Sequence, residues 1–94
     1  MQFKKDGIEF HIPDRPTVRQ QLAYISATTG VDPERHLERL WNGAKSLIEN
    51  WQCELFKFDV NLDEVSDPKI AELILWASIQ VRSHINKLEE IPKN

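Results

Sequence analysis

Apolar residues recur with helical spacing along the last long segment of the chain, from Asp67 to Glu90. At about 100° per residue from Ile70, the residues Ile70, Ile74, Ala77, Val81, Ile85 and Leu88 fall within about 60° of one line. The spacing predicts an amphipathic helix over 68–89. Asp67 suits its N-cap, because the carboxylate can accept from free backbone donors of the first turn, and Pro68 suits the first helical position, where its missing N–H is not needed. A second apolar group, Leu75, Trp76 and Ile79, projects to about 140° to 240°, opposite the first. One small core cannot easily cover both sides. The helix is expected either to be sandwiched within the fold or to offer Leu75, Trp76 and Ile79 to another protein chain.

The rest of the pattern supplies a strand, two more helices and one ambiguous stretch. Ile8, Phe10 and Ile12 alternate with Glu9 and His11, the period of a strand with one wet face. Asp6-Gly7 before them tolerates the positive φ of a tight hairpin turn, and Pro13 ends the strand. Thr17 with Gln20 three residues on forms a capping box for a short helix carrying Val18, Leu22 and Ile25 on a narrow stripe, with Gly30 placed to stop it as a left-handed cap. After Asp32-Pro33, the residues Leu37, Leu40, Trp41, Ala44, Leu47, Ile48 and Trp51 predict a helix over about 33–50 with one apolar face. Gly43 inside it either weakens the helix by about 1 kcal/mol or admits a close neighbour. From Phe56 to Leu62 alternation returns, which reads either as a third strand or as an extended loop pressed onto the helices.

Ninety-four residues suffice for one domain and one core. The predicted fold is α+β and predominantly helical: three helices with a small N-terminal β-hairpin or three-stranded sheet, as a single domain over 1–94 with residues 1–13 as the hairpin and 16–90 as the helical body. A formal charge of −3 and a pI near 5.6 offer no positive field for phosphates, so nucleic acid is not an expected partner. Charge is uneven, net +1 over residues 1–47 and net −4 over 48–94. A lone cysteine, Cys53, cannot close an intrachain disulfide, and the N-terminus lacks the apolar run of a signal peptide. No stretch approaches a membrane span, so a cytoplasmic setting with no membrane partner is expected.

Little in the chain reads as chemistry. Asp59-Val60-Asn61-Leu62-Asp63 spells the start of a calcium loop, but Glu64 stands where the sharp turn needs glycine and Ile70 where a bidentate glutamate belongs. His11, His36 and His84 lie in three different elements without second ligands at metal spacing. Cys53 with a histidine would be a nucleophile and base only if the fold brought them together in a cleft. No catalytic residue, cofactor or metal is therefore expected. Trp41 and Trp51 sit on the stripe of their helix and are expected in the core, whereas Trp76 beside Leu75 and Ile79 reads equally as an interface anchor or as an intramolecular contact.

From Trp51 onward the order of features resembles the small tail assembly chaperones of long-tailed bacteriophages. The acidic Val60-Asn61-Leu62-Asp63-Glu64-Val65, then Asp67-Pro68, a helix carrying Leu75-Trp76-Ala77, and Ile91-Pro92-Lys93-Asn94 carry the likeness. Pro16-Thr17-Val18-Arg19 after a short strand is similar too. The resemblance implies a non-enzymatic phage or prophage protein that coats the apolar tape-measure protein and helps recruit tail-tube subunits, often through self-association. Its largely helical character argues against a third strand at 56–62. A second reading is a small homodimeric regulatory or inhibitor-type adaptor that pairs the same helix face with its own copy.

Overall fold

The computed structural model describes residues 1–30 and 35–89, with side chains through Lys87. Strands β1 (Gln2–Lys5) and β2 (Ile8–His11) are followed by helices α1 (Val18–Thr28) and α2 (His36–Leu47), strand β3 (Glu49–Cys53) and helix α3 (Pro68–Glu89). The three antiparallel strands lie in the order β1-β2-β3. This is the expected α+β fold with three helices and a small sheet.

The hairpin forms as its sequence requires. Asp6 and Gly7 both take positive φ, 48° and 90°, the pair of values that a two-residue turn needs to match the twist of its strands. Phe3 faces Phe10 and Lys5 faces Ile8 across the ladder. Ile8, Phe10 and Ile12 are all fully buried, while Glu9 and His11 alternate to the opposite side.

The third strand is where the expectation needs correction. Residues 56–62 are not a strand; the sheet is completed instead by Glu49–Cys53, which pairs with β2. Helix α2 accordingly stops at Leu47, short of 50, and Ile48 turns extended at φ −73° and ψ 131°. Asn50 adopts φ 54°, a conformation asparagine tolerates, and one extra residue of β3 is absorbed as a bulge between the pairs Glu9–Gln52 and His11–Glu49. Trp51 is in phase with the helical stripe, but it is equally in phase with Cys53 on one face of a strand. The open edge of β2 decides between them by supplying backbone partners.

The segment after β3 is the extended loop. Its backbone closes local turns, with the Val60 N–H bonded to the Lys57 carbonyl at 3.1 Å and the Glu64 N–H to the Asn61 carbonyl at 3.1 Å. Its alternation still sorts the side chains: Phe56 is buried and Phe58 and Val60 are partly so. Phe58 packs on Trp41 and Trp51 at ring distances of 5.9 and 5.3 Å.

Helix α3 begins at Pro68, with Asp67 Oδ1 accepting the Lys69 N–H at 2.9 Å as the cap. Ile74, Ala77 and Val81 are buried along the expected stripe, together with Leu73. Ser78 is buried as well and donates to the Ile74 carbonyl at 2.8 Å. The stripe's last member, Leu88, lies outside the described side chains, as do the Asp32-Pro33 start and the Ile91-Pro92 end. Helix α2 lies between α1 and α3 and packs on both.

The capping box of α1 is present in both directions, Gln20 N–H to Thr17 Oγ1 at 3.1 Å and Thr17 N–H to Gln20 Oε1 at 2.8 Å. Its end differs from expectation. Thr29 caps it in an extended conformation, and Gly30, at φ 156°, instead lies against the Arg39 side chain, which a Cβ there would meet at 3.0 Å. Gly43 is the close-approach glycine of α2: a Cβ on it would stand 2.6 Å from Thr28 Cγ2 and 3.1 Å from the Tyr24 ring. It is the notch into which α1 docks.

Gly43→Ala should therefore lose stability despite gaining about 1 kcal/mol of helix propensity, because overpacking costs about 1–3 kcal/mol. Chemical denaturation should show a net loss of about 1 kcal/mol, with Thr28→Ser in the same chain restoring most of it by deleting the opposing methyl.

Candidate interaction surfaces

On α3 the side opposite Ile74, Ala77 and Val81 carries Leu75 and Ile79, which stay 42% and 48% exposed. The polar residues Arg82, Ser83 and Asn86 border Ile79 in a shallow depression. Two aliphatics one turn apart thus form a short greasy row with a polar rim. The third member of the expected trio behaves differently. Trp76 is half-buried, set edge-on to Phe10 at 5.7 Å, with Lys5 Nζ 5.7 Å from the centre of its ring. The hairpin has claimed this indole, so Leu75 and Ile79 form the accessible part of the face and Trp76 supports its edge.

A larger apolar row lies on α1. Val18, Leu22 and Ile25 are 70%, 60% and 56% exposed, while the helix packs on α2 through Tyr24 and Thr28. Helix α1 is thus mounted with its apolar stripe outward. The stripe is visible in the sequence, but its i, i+4, i+7 spacing reads equally as core, and only the Gly43 notch, which selects the Tyr24 and Thr28 side, turns it away from the protein. Leu37 and Leu62, 39% and 37% exposed, edge a further apolar groove of about 230 Å³ beside the start of α3.

The residues considered for chemistry do not converge. Cys53 sits opposite Ile8 at one end of β2. His84 lies at the other end, its Nε2 3.0 Å from the Pro13 carbonyl. Five residues of strand put those positions about 16 Å apart. Asn61 Oδ1 accepts the Asp63 N–H at 3.0 Å, which makes the acidic segment an ordinary turn. His36 is exposed on α2. Among the described residues no cluster of three His, Cys, Asp or Glu could hold a metal, and no helix is long and apolar enough to cross a membrane.

No protein-family model, curated protein or solved structure matches this chain.

The hairpin that covers Trp76 is pinned to α3 by an ion pair between Asp6 Oδ2 and Lys69 Nζ at 2.9 Å. The hydrogen bond and charge of Lys69 hold the Asp6 carboxyl below its ordinary pKa, and Asp6 raises that of Lys69. At the base of the hairpin, the N-terminal ammonium lies 3.1 Å from Asp14 Oδ1 and depresses that carboxyl in the same way. A depressed carboxylate stabilises the fold above its unfolded pKa of about 4, and the contribution disappears as pH falls through the lower folded value. The Lys69 contribution is complete below its unfolded pKa, about 10.4, and is lost as pH rises through the raised value.

Thermal melts should thus show a shallow plateau between about pH 5 and 9 with an acid-side decline. Asp6→Asn should flatten part of that decline, and salt at about 0.5 M should shrink it, because both pairs are exposed. Truncation separates support from surface: Trp76→Ala should cost about 2–4 kcal/mol in urea unfolding, whereas Leu75→Ser and Ile79→Ser should each stay within about 0.5 kcal/mol.

Proposed function

We propose that this protein acts by binding rather than by catalysis, as a phage or prophage tail assembly chaperone. In this reading it works in the cytoplasm of the bacterial host, where the apolar row of α3 covers helices of the tape-measure protein and of tail-tube subunits. The observation that carries the reading is the exposure of Leu75 and Ile79 on the side of α3 turned away from its own core. The order of motifs from Trp51 to Asn94 supports the same class of protein.

The mechanism follows from the size of the row. A partner helix laid along α3 would set its own i, i+3, i+4 side chains against Leu75 and Ile79, with Arg82 and Asn86 free to bond at the rim. Burying two half-exposed aliphatics contributes on the order of 1–3 kcal/mol before association costs. A grip of that strength is easily released. It suits a chaperone that holds an apolar helix until assembly replaces it.

The test is coexpression with a phage tape-measure polypeptide, scoring how much of that polypeptide remains soluble and co-purifies. The wild-type chain should keep it soluble, and Leu75→Ser/Ile79→Ser should lose most of that effect while retaining the same melting temperature. Equal solubility with the double variant, or none with the wild type, would overturn the proposal.

A further inference from the structure

We infer that β1 accepts a fourth strand: an extended segment of a different protein that pairs antiparallel along its free edge and sets a carboxylate against Lys4. Strand order leaves β1 with β2 on one side only. The two-residue turn makes Lys5 and Ile8 a hydrogen-bonded pair, and such pairs alternate with non-bonded ones along an antiparallel ladder. The Ile12 N–H, bonded to the Met1 carbonyl at 2.8 Å, keeps that parity, and Glu9 and His11 accordingly pair with β3. Gln2 and Lys4 therefore point their N–H and carbonyl groups away from β2. Among the described residues nothing bonds to these four groups. The opposite edge of the sheet is less regular, since β3 carries the bulge and Asn50 at φ 54°, and a bulge turns an edge away from pairing.

Charge selects the occupant. Lys4 is exposed on the wet face, and its cross-strand neighbour Glu9 is engaged by Gln2, whose Nε2 donates to Glu9 Oε1 at 2.6 Å. The ion pairs among the described residues are those of the terminal ammonium with Asp14 and of Lys69 with Asp6, so the Lys4 ammonium has no carboxylate of its own. Strand β1 contains no acidic residue, so a reversed copy of it would bring lysines near lysines, and like charges facing across strands oppose pairing. A strand of another protein with Asp or Glu opposite Lys4 gains what the copy loses.

Alternation fixes the rest of the segment. Phe3 and Lys5 share the inner side of the sheet with Phe10 and Ile8, where the Trp76 ring stands edge-on to Phe10 with Lys5 Nζ 5.7 Å from its centre. Gln80 and Ser83 share a small cleft with Phe3 just beyond. Incoming residues opposite Phe3 and Lys5 would face this flank of α3, so apolar side chains suit them, while those opposite Gln2 and Lys4 stay on the wet face. The segment recognised is thus short and extended, apolar at alternate positions and acidic opposite Lys4. Leu75 and Ile79 take no part, so the contact does not depend on the chaperone reading.

The peptide Val-Glu-Val-Thr-Val, acetylated and amidated, is the probe, titrated into the isotope-labelled chain to about 5 mM because a contact of this size is weak. In amide NMR spectra the signals of Gln2 and Lys4 should move and their hydrogen exchange should slow by about threefold or more, while Phe3 and Lys5, already bonded to β2, exchange as before. Lys4→Glu, at an exposed position, should weaken binding about tenfold, and a peptide with lysine in place of glutamate should restore it. N-methylation of the peptide's glutamate keeps its charge but removes the N–H that donates to the Lys4 carbonyl, and should abolish binding to the unaltered protein. Leu75→Ser/Ile79→Ser should leave the affinity unchanged, which separates this contact from the row on α3. No shift at the highest peptide concentration would overturn the proposal. Binding indifferent to N-methylation or to the charge exchange, or shifts centred on α1 or on Leu75 and Ile79, would overturn it in favour of another surface.

Discussion

The fold depends on a chain of aromatic contacts that joins the sheet to the helices. Phe3 stacks on Phe10, Phe10 meets Trp51 at 5.9 Å and Trp76 at 5.7 Å, and Trp51 continues to Trp41 at 5.7 Å. Phe56 and Phe58 close it from the loop side. These rings come from all three strands' layer, from α2, from α3 and from the loop between β3 and α3. Each such pair adds about 0.5–1.5 kcal/mol beyond the area it buries. The cluster also carries a cost: the indole N–H groups of Trp41 and Trp51 are buried with no acceptor among the described residues, at about 1–3 kcal/mol each. Packing of large rings outweighs that loss because a hydrophobic side chain of this size contributes through its whole surface, and an unmet N–H through one atom.

That cluster also determines which apolar surface remains outside. By drawing Trp76 under the hairpin, it reduces the back of α3 to Leu75 and Ile79. By lying on the side of α2 that faces the sheet and α3, it leaves α1 to pack on what remains of α2. There the notch at Gly43 accepts Tyr24 and Thr28, and the more apolar stripe of α1 has no internal surface left to cover. A chain of this length has material for one core, and that core is built without α1's aliphatics. Exposure of Val18, Leu22 and Ile25 is thus a consequence of the interior being complete without them.

Two separate surfaces with different chemistry follow. The row on α3 is bordered by Arg82, Ser83 and Asn86, a rim able to meet varied polar groups around an apolar partner. Helix α1, which carries the other row, is nearly uncharged, with Arg19 alone among its eleven residues. A short row of this kind gives a weak grip, so several copies bound along one long helical partner would hold it better than one. Multivalent contact of that kind multiplies modest affinities when geometry allows simultaneous engagement.

Local signals determined much of the chain by itself. Asp6-Gly7 specifies the hairpin because both residues accept positive φ, Thr17 and Gln20 specify the start of α1 because their side chains reach the first free N–H groups, and Asp67-Pro68 does the same for α3. The stripe of α3 and the alternation of β2 identify their buried sides because each period maps onto a single face. Tertiary structure alone decided the remainder. Trp51 satisfies the period of a helix and of a strand, so the open edge of β2 had to choose, and it ended α2 at Leu47. The alternation from Phe56 to Val60 describes which side chains are buried, not which backbone groups are paired, and the backbone there bonds to its own turns. Whether a stripe faces inward is not a property of the stripe: α1 and α3 both carry one, and the space left around Gly43 and the aromatic cluster sent one outward and the other in.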